Sequence, residues 1–150
     1  AAEAPLHREL LVERVAACFA VERLSSRVTD RIGTVIEECV RRQSARIIGD
    51  FVWLPSQSPD SWTRVRVPKG AEGLRALEHL PAEELAAAAV RVLQASIALP
   101  KDELARHVIG VFGYKRLTPK AHAAASRAVT VLLARGHCLE DGDRVRHAAR

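Results

Sequence analysis

Slid along itself by 93 positions, the sequence falls into register with itself: residues 6–53 lie over 99–146 without a gap. The identities include Leu6/Leu99, Leu11/Leu104, Val15/Val108, Phe19/Phe112, Arg23/Arg116 and Leu24/Leu117. Towards the end come Arg42/Arg135, Gly49/Gly142, Asp50/Asp143 and Val52/Val145. They fall mainly on apolar and turn positions, as a fold made twice requires. Whatever the chain folds into, its two ends must be versions of the same small unit.

The second copy is the easier to read. In LPKDELARHVIGVFG, Leu104, Val108, Val111 and Phe112 recur at helical spacing, and Gly113 is a helix stop. After the short YKRL connection, Thr118 caps a second helix with Pro119 at its first position. That helix runs to about Arg135, with Ala121, Ala125, Ala128, Val129, Leu132 and Leu133 as its buried stripe. Gly136 ends it, and HCLEDGDRVRHA reads as two short strands around Asp141-Gly142. The first copy has the same parts. Leu11, Val15 and Phe19 stripe its first helix, and Ser25 caps its second. That second helix carries Val28, Ile32, Val35, Ile36, Cys39 and Val40, and RIIGDFVWL turns at Gly49-Asp50. Between the copies, PSQSPDS is a loop, WTRVRVP (Trp62–Pro68) alternates as a strand does, and LPAEELAAAAVRVLQAS (Leu80–Ser96) predicts a strong helix with Pro81 near its start and Glu83 and Glu84 in its first turn.

Helix, turn, longer helix and hairpin make the winged helix-turn-helix plan. The expected fold is therefore mainly α with small β hairpins, as tandem winged helix-turn-helix repeats. Residues 1–54 would be the first repeat, lacking an opening helix, 55–78 a linker with one strand, and 79–150 the second repeat. The missing opening helix and the start AAEAPLH, without Met, suggest an excised piece of something longer.

Composition narrows the function classes. Hydrophobic residues make up 48% of the 150 and aromatics only 4%, so the core must come from Ala, Leu, Val and Ile. The net charge of +5 suits a polyanionic partner. Three widely spaced cysteines, Cys18, Cys39 and Cys138, form neither a CxxC metal pattern nor a disulfide framework, which favours the reducing cytoplasm. His137-Cys138 is a lone pair rather than a metal motif. No apolar run reaches transmembrane length. VFGYKRLT lacks the GxxxxGK[ST] of a phosphate-binding loop, and no catalytic constellation stands out, so neither cofactor nor catalysis is expected.

The charges are unequally shared. Between Leu104 and Leu139 no acid occurs, and Arg106, Lys115, Arg116, Lys120, Arg127 and Arg135 give +6. The matching window of the first copy, Leu11 to Arg46, holds seven Arg and five acids, hence +2. A helix-turn-helix places the N-terminal half of its second helix in the major groove while nearby cations hold phosphates. On that geometry Lys115, Arg116, Lys120 and Arg127 are the phosphate candidates, and His122, Ala123 and Ser126 face base edges. Arg23, Arg27, Arg31 and Thr34 are their first-copy equivalents. Trp53 and Trp62, either side of the Pro/Ser loop, are expected to cover the core beside the wing. The competing expectation for the whole chain is a protein-interaction module, docking or dimerising through an apolar patch at Trp53, Trp62 or Val131.

The stretch from Asp102 to Val145, with Glu103-Leu104, Phe112-Gly113, Lys115-Arg116 and Gly136, resembles the small conserved C-terminal domain of unknown function of large bacterial superfamily 1 DNA helicase-like proteins. The resemblance covers about residues 78–146, with 5–54 as a diverged copy that has Ala20 for Gly and Glu22 for Lys. It implies an accessory DNA-binding tail whose partners are DNA and the parent helicase domains, with the motor's ATP and magnesium sites elsewhere. No catalytic residue carries over.

Overall fold

The structure is a computed structural model, and it describes residues 3–148. Among these, five α-helices and two three-stranded antiparallel sheets divide between two compact units, with the division between Ser58 and Pro59. The chain is mainly α, about half helical, with a small β component.

In the first unit β1 (Leu6–His7) leads into α1 (Arg8–Cys18). Then follow α2 (Ser26–Arg41), β2 (Arg46–Ile48) and β3 (Phe51–Trp53). In the second, α3 (Ala82–Gln94) precedes β4 (Leu99–Pro100), α4 (Lys101–Val111), α5 (Pro119–Ala134), β5 (Cys138–Asp141) and β6 (Arg144–His147). From β1 and β4 onward the two units run in the same order, and sheet orders β1-β3-β2 and β4-β6-β5 are equivalent. Leu6 faces Val52 and Leu99 faces Val145, so both identities sit in one cross-strand pair, made twice. β1 and β4, two residues each, are too short to show as alternation in the sequence. The N–H of Arg8 donates to the Asp50 carbonyl, and that of Lys101 to the Asp143 carbonyl, each at 2.9 Å.

Helix ends repeat as closely. Each of α1, α2, α4 and α5 closes with the paired backbone hydrogen bonds of a Schellman turn. Its left-handed residue is Ala20 (φ 53°), Gln43 (φ 57°), Gly113 (φ 88°) and Gly136 (φ 65°) respectively. Ser25 Oγ accepts from the Val28 N–H, and Thr118 Oγ1 from the Ala121 N–H. These are the two N-caps anticipated from the sequence.

The cores differ. In the second unit Leu85, Ala86, Ala88, Ala89 and Leu93 of α3 are buried with Leu104, Val108, Ile109 and Phe112 of α4 and Ala121, Ala124, Ala128 and Leu132 of α5. Alanine on both facing helices lets α3 and α5 approach closely. Of the expected α5 stripe, Val129 is half-buried and Leu133 is exposed. In the first unit much of the expected stripe lies open. Leu11, Val15, Val28, Ile32, Cys39 and Val40 are half-buried, Val35 is 54% exposed and Phe19 78%, and the helical burial centres on Val12, Ala16 and Ile36.

The strand expected at Trp62–Pro68 does not form. Its backbone has no ladder partner, and side chains of the second unit hold it instead. The Arg66 N–H donates to Glu84 Oε1 at 2.7 Å, Trp62 Nε1 to the Arg64 carbonyl at 2.8 Å, and Arg91 Nη2 to the Thr63 carbonyl at 3.3 Å. Two single-turn 3₁₀ segments, Ala71–Gly73 and Leu77–His79, complete the passage to α3.

Candidate nucleic-acid interface

The connection between α4 and α5 is rigid for identifiable reasons. Gly113 holds φ at +88°, and a Cβ there would stand 3.2 Å from Leu74 Cδ1 and 3.3 Å from Pro68 Cγ. Tyr114 is half-buried, and its hydroxyl donates to the Arg75 carbonyl at 2.7 Å. Leu117 is half-buried against the core. Lys115 and Arg116, between these two anchors, are exposed.

The outward face of α5 follows from its periodicity. Lys120, His122, Ala123, Ser126, Arg127 and Thr130 are all exposed, whereas Ala121, Ala124, Ala125 and Ala128 are buried. At 100° per residue, Ala123, Ser126 and Thr130 lie along the middle of that face, Lys120 and Arg127 on one flank, and His122 on the other. Small polar and apolar side chains with cations along one flank leave room for a second surface to approach the helix backbone.

Tertiary structure adds acids that the window 104–139 lacks. Lys120 Nζ lies 3.9 Å from Glu78 Oε1, both highly exposed, and His122 Nε2 lies 3.2 Å from Asp102 Oδ1. An exposed contact of this length is worth little. Among the described residues Lys115, Arg116 and Arg127 make no ion pair. Beside α5, a hollow of about 290 Å³ is lined by Asp102, Glu140 and Asp143 as well as Lys101 and His122. The cationic surface is therefore the α4–α5 turn and the Lys120–Arg127 flank, bounded on the His122 side by carboxylates.

The first-copy candidates are placed differently. Arg23, Arg27 and Arg31 are exposed. Arg27 and Arg31 line an apolar groove with Val28, Ile32 and Val35. The middle of the outward face of α2 carries Asp30, equivalent to Ala123, and Glu37, equivalent to Thr130. Arg41 and Arg42 at its end both pair with Glu38. On that helix the positions between the cations repel phosphate.

Trp53 and Trp62 are 1% and 9% exposed, as core-covering side chains, and Val131 is half-buried, so none of the three forms the apolar docking patch of the competing expectation. Both indoles have too much apolar area to leave in water when a core is at hand. All three cysteines are free, and Cys138 is buried. Burial first, then the charge of Glu140, pushes the Cys138 thiol pKa up, away from the reactive thiolate.

The most developed polar cluster was not foreseen. Glu84, expected only to complement a helix N-terminus, is fully buried. Arg66 Nη2 reaches its Oε2 at 2.5 Å, and Arg75 donates from Nη2 to Oε1 at 2.8 Å and from Nη1 to Oε2 at 2.9 Å. Arg75 Nη2 also donates to the Arg66 carbonyl, and its guanidinium lies 5.9 Å over the Phe112 ring. Burial alone would push the Glu84 carboxyl pKa up, but hydrogen bonds and charge from Arg75 and Arg66 outweigh it and hold the group below its ordinary value. Nothing in the local sequence separates Glu84 from Glu83. The signal was Arg66, in the stretch that reads as a strand, and Arg75 in the loop after it. The cluster fixes the 62–80 segment to α3, and Arg75 in turn holds Tyr114 beside the cationic turn.

No helix among the described residues is long and apolar enough to cross a membrane. Compared with known proteins, the chain matches no family model, no curated protein and no solved structure.

Proposed function

We propose that this chain is a non-catalytic accessory module that binds duplex DNA through its second unit, within a larger helicase-like protein. The supporting observation is the outward face of α5. It has small residues along its middle, Lys120 and Arg127 on one flank, Lys115 and Arg116 in the turn ahead, and no acid on the helix. We read the order α3, β4, α4, α5, hairpin as a winged helix-turn-helix, with α5 as the recognition helix and β5–β6 as the wing. In this reading Lys115, Arg116, Lys120 and Arg127 hold phosphates, and His122 and Ser126 approach base edges. Lys120 exchanges its weak contact with Glu78 for phosphate. The first unit, with Asp30 and Glu37 on the equivalent face, contributes little to DNA affinity despite Arg23, Arg27 and Arg31.

Fluorescence anisotropy with a labelled duplex over a salt series tests this. Binding should weaken linearly in log–log form, and Lys115→Glu, Arg116→Glu and Lys120→Glu together should lower affinity for all sequences and reduce the salt slope by about 1 per lost contact. Absence of binding at low salt, or affinity untouched by the triple reversal, would refute the proposal.

A further inference from the structure

The two units share a framework but not a cover, and the uncovered one holds a wide apolar opening. Between α1, α2 and the hairpin of the first unit lies a groove of about 640 Å³. Its apolar positions include Val15, Phe19, Val28, Val35 and Cys39. Displaced by 93, these are Val108, Phe112, Ala121, Ala128 and Leu132, every one buried in the second unit in one cluster with Leu85, Ala88 and Leu93 of α3. The same surface exists twice, then, and in the second unit an alanine- and leucine-faced helix fills it. Phe19 and Val35 stand largely in water, so the open face carries a drive towards a cover.

Charge narrows what the cover is. Arg27 and Arg31 line the groove. The equivalent of Arg27 is Lys120, whose partner is Glu78, four residues ahead of α3. The equivalent of Arg31 is Ala124, buried beneath α3. An occupant lying as α3 lies would therefore meet two cations near its N-terminal end, where a helix already favours acids. A second copy of this chain does not meet that demand. Two grooves face to face would bring Arg27 and Arg31 against themselves, and the α3 of another copy is already buried in its own core.

We propose that the first unit's groove is a docking site for an amphipathic α-helix of a partner polypeptide. That helix has an alanine- and leucine-rich face and carboxylates at its N-terminal end for Arg27 and Arg31. The site is separable from the DNA reading, because that reading rests on α5 and the α4–α5 turn, whereas the groove is built wholly from the first unit.

The test uses the 150-residue chain and a fluorescent peptide copy of its own Leu77–Ser96 as the probe helix. Saturable one-to-one binding is expected, with Kd of about 100 μM or tighter given the cost of ordering a short helix. Val35→Asp, at a side chain 54% exposed and so harmless to folding, should weaken it at least tenfold. Arg27→Glu should weaken it several-fold, with recovery when the peptide carries Glu78→Lys. No binding at about 1 mM peptide, or binding unaffected by Val35→Asp, overturns the proposal. Dimerisation of the chain that Val35→Asp abolishes, without peptide binding, overturns it equally, since the groove would then be a self-interface. DNA affinity measured on the same variants separates this outcome from failure of the DNA reading.

Discussion

Gln43 and Gly136 occupy the same left-handed position at the ends of α2 and α5, but only the second is glycine. A side chain there costs roughly 1–2 kcal/mol in conformational strain, partly offset by the greater unfolded-state freedom of glycine. Gln43→Gly should therefore raise the stability of the first unit by up to about 1 kcal/mol, read as a shift in urea midpoint. Glu84 is the opposite case, a residue whose neighbours leave it no substitute. Glu84→Gln keeps the shape but removes the buried charge that the half-buried Arg66 and Arg75 share. Breaking such a pair costs about 3–5 kcal/mol, a loss readable by chemical denaturation. Because the folded carboxyl is held below its unfolded value, its contribution is present above the ordinary carboxylate range and disappears as pH falls through the folded pKa. The second unit should lose stability on acidification below about pH 4, and Glu84→Gln should flatten that part of the profile.

Helices α2 and α5 are equivalent in length, cap and C-terminal turn, yet their outward faces differ in charge. Ala123, at the middle of the α5 face, is Asp30 on α2, and Thr130 is Glu37. If α5 is the DNA-facing helix, Ala123→Asp should reduce duplex affinity at least tenfold in anisotropy at low salt, with little change in thermal stability because the position is exposed. Thr118→Ala tests a different property of the same helix. It removes the acceptor for the Ala121 N–H and should destabilise the second unit by about 1 kcal/mol in a denaturant titration, without altering net charge.

The two units carry unequal shares of the core. Pro59–Arg150 has three helices around one alanine-rich interior, closed on the α3 side. Residues 1–58 have two helices and a sheet, with Phe19 and Val35 in water, and a unit of that size is marginal even when its core is complete. Residues 59–150 expressed alone should unfold in one cooperative calorimetric transition. Residues 1–58 alone should melt at lower temperature and bind an apolar dye such as ANS.

The duplication was legible because it is written in positions that local physics controls. Ser25 and Thr118 as caps, Gly113 and Gly136 as stops, and the Leu6/Leu99 and Val52/Val145 pairs all act within a turn or a ladder, so spacing alone located the helices and hairpins. Much of the cationic surface was legible for a similar reason, since Lys120 and Arg127 stand off the face of α5 that buries Ala121, Ala124, Ala125 and Ala128. Long-range contact decided the rest. Trp62–Pro68 alternates like a strand but found no partner strand, and the buried carboxylate of Glu84 took its backbone instead. Glu78 and Asp102 came beside Lys120 and His122 from outside the acid-free window. Val28 and Val35 look as fit for a core as Ala121 and Ala128, but burial depends on a neighbouring element, and only the second unit has α3 to supply it.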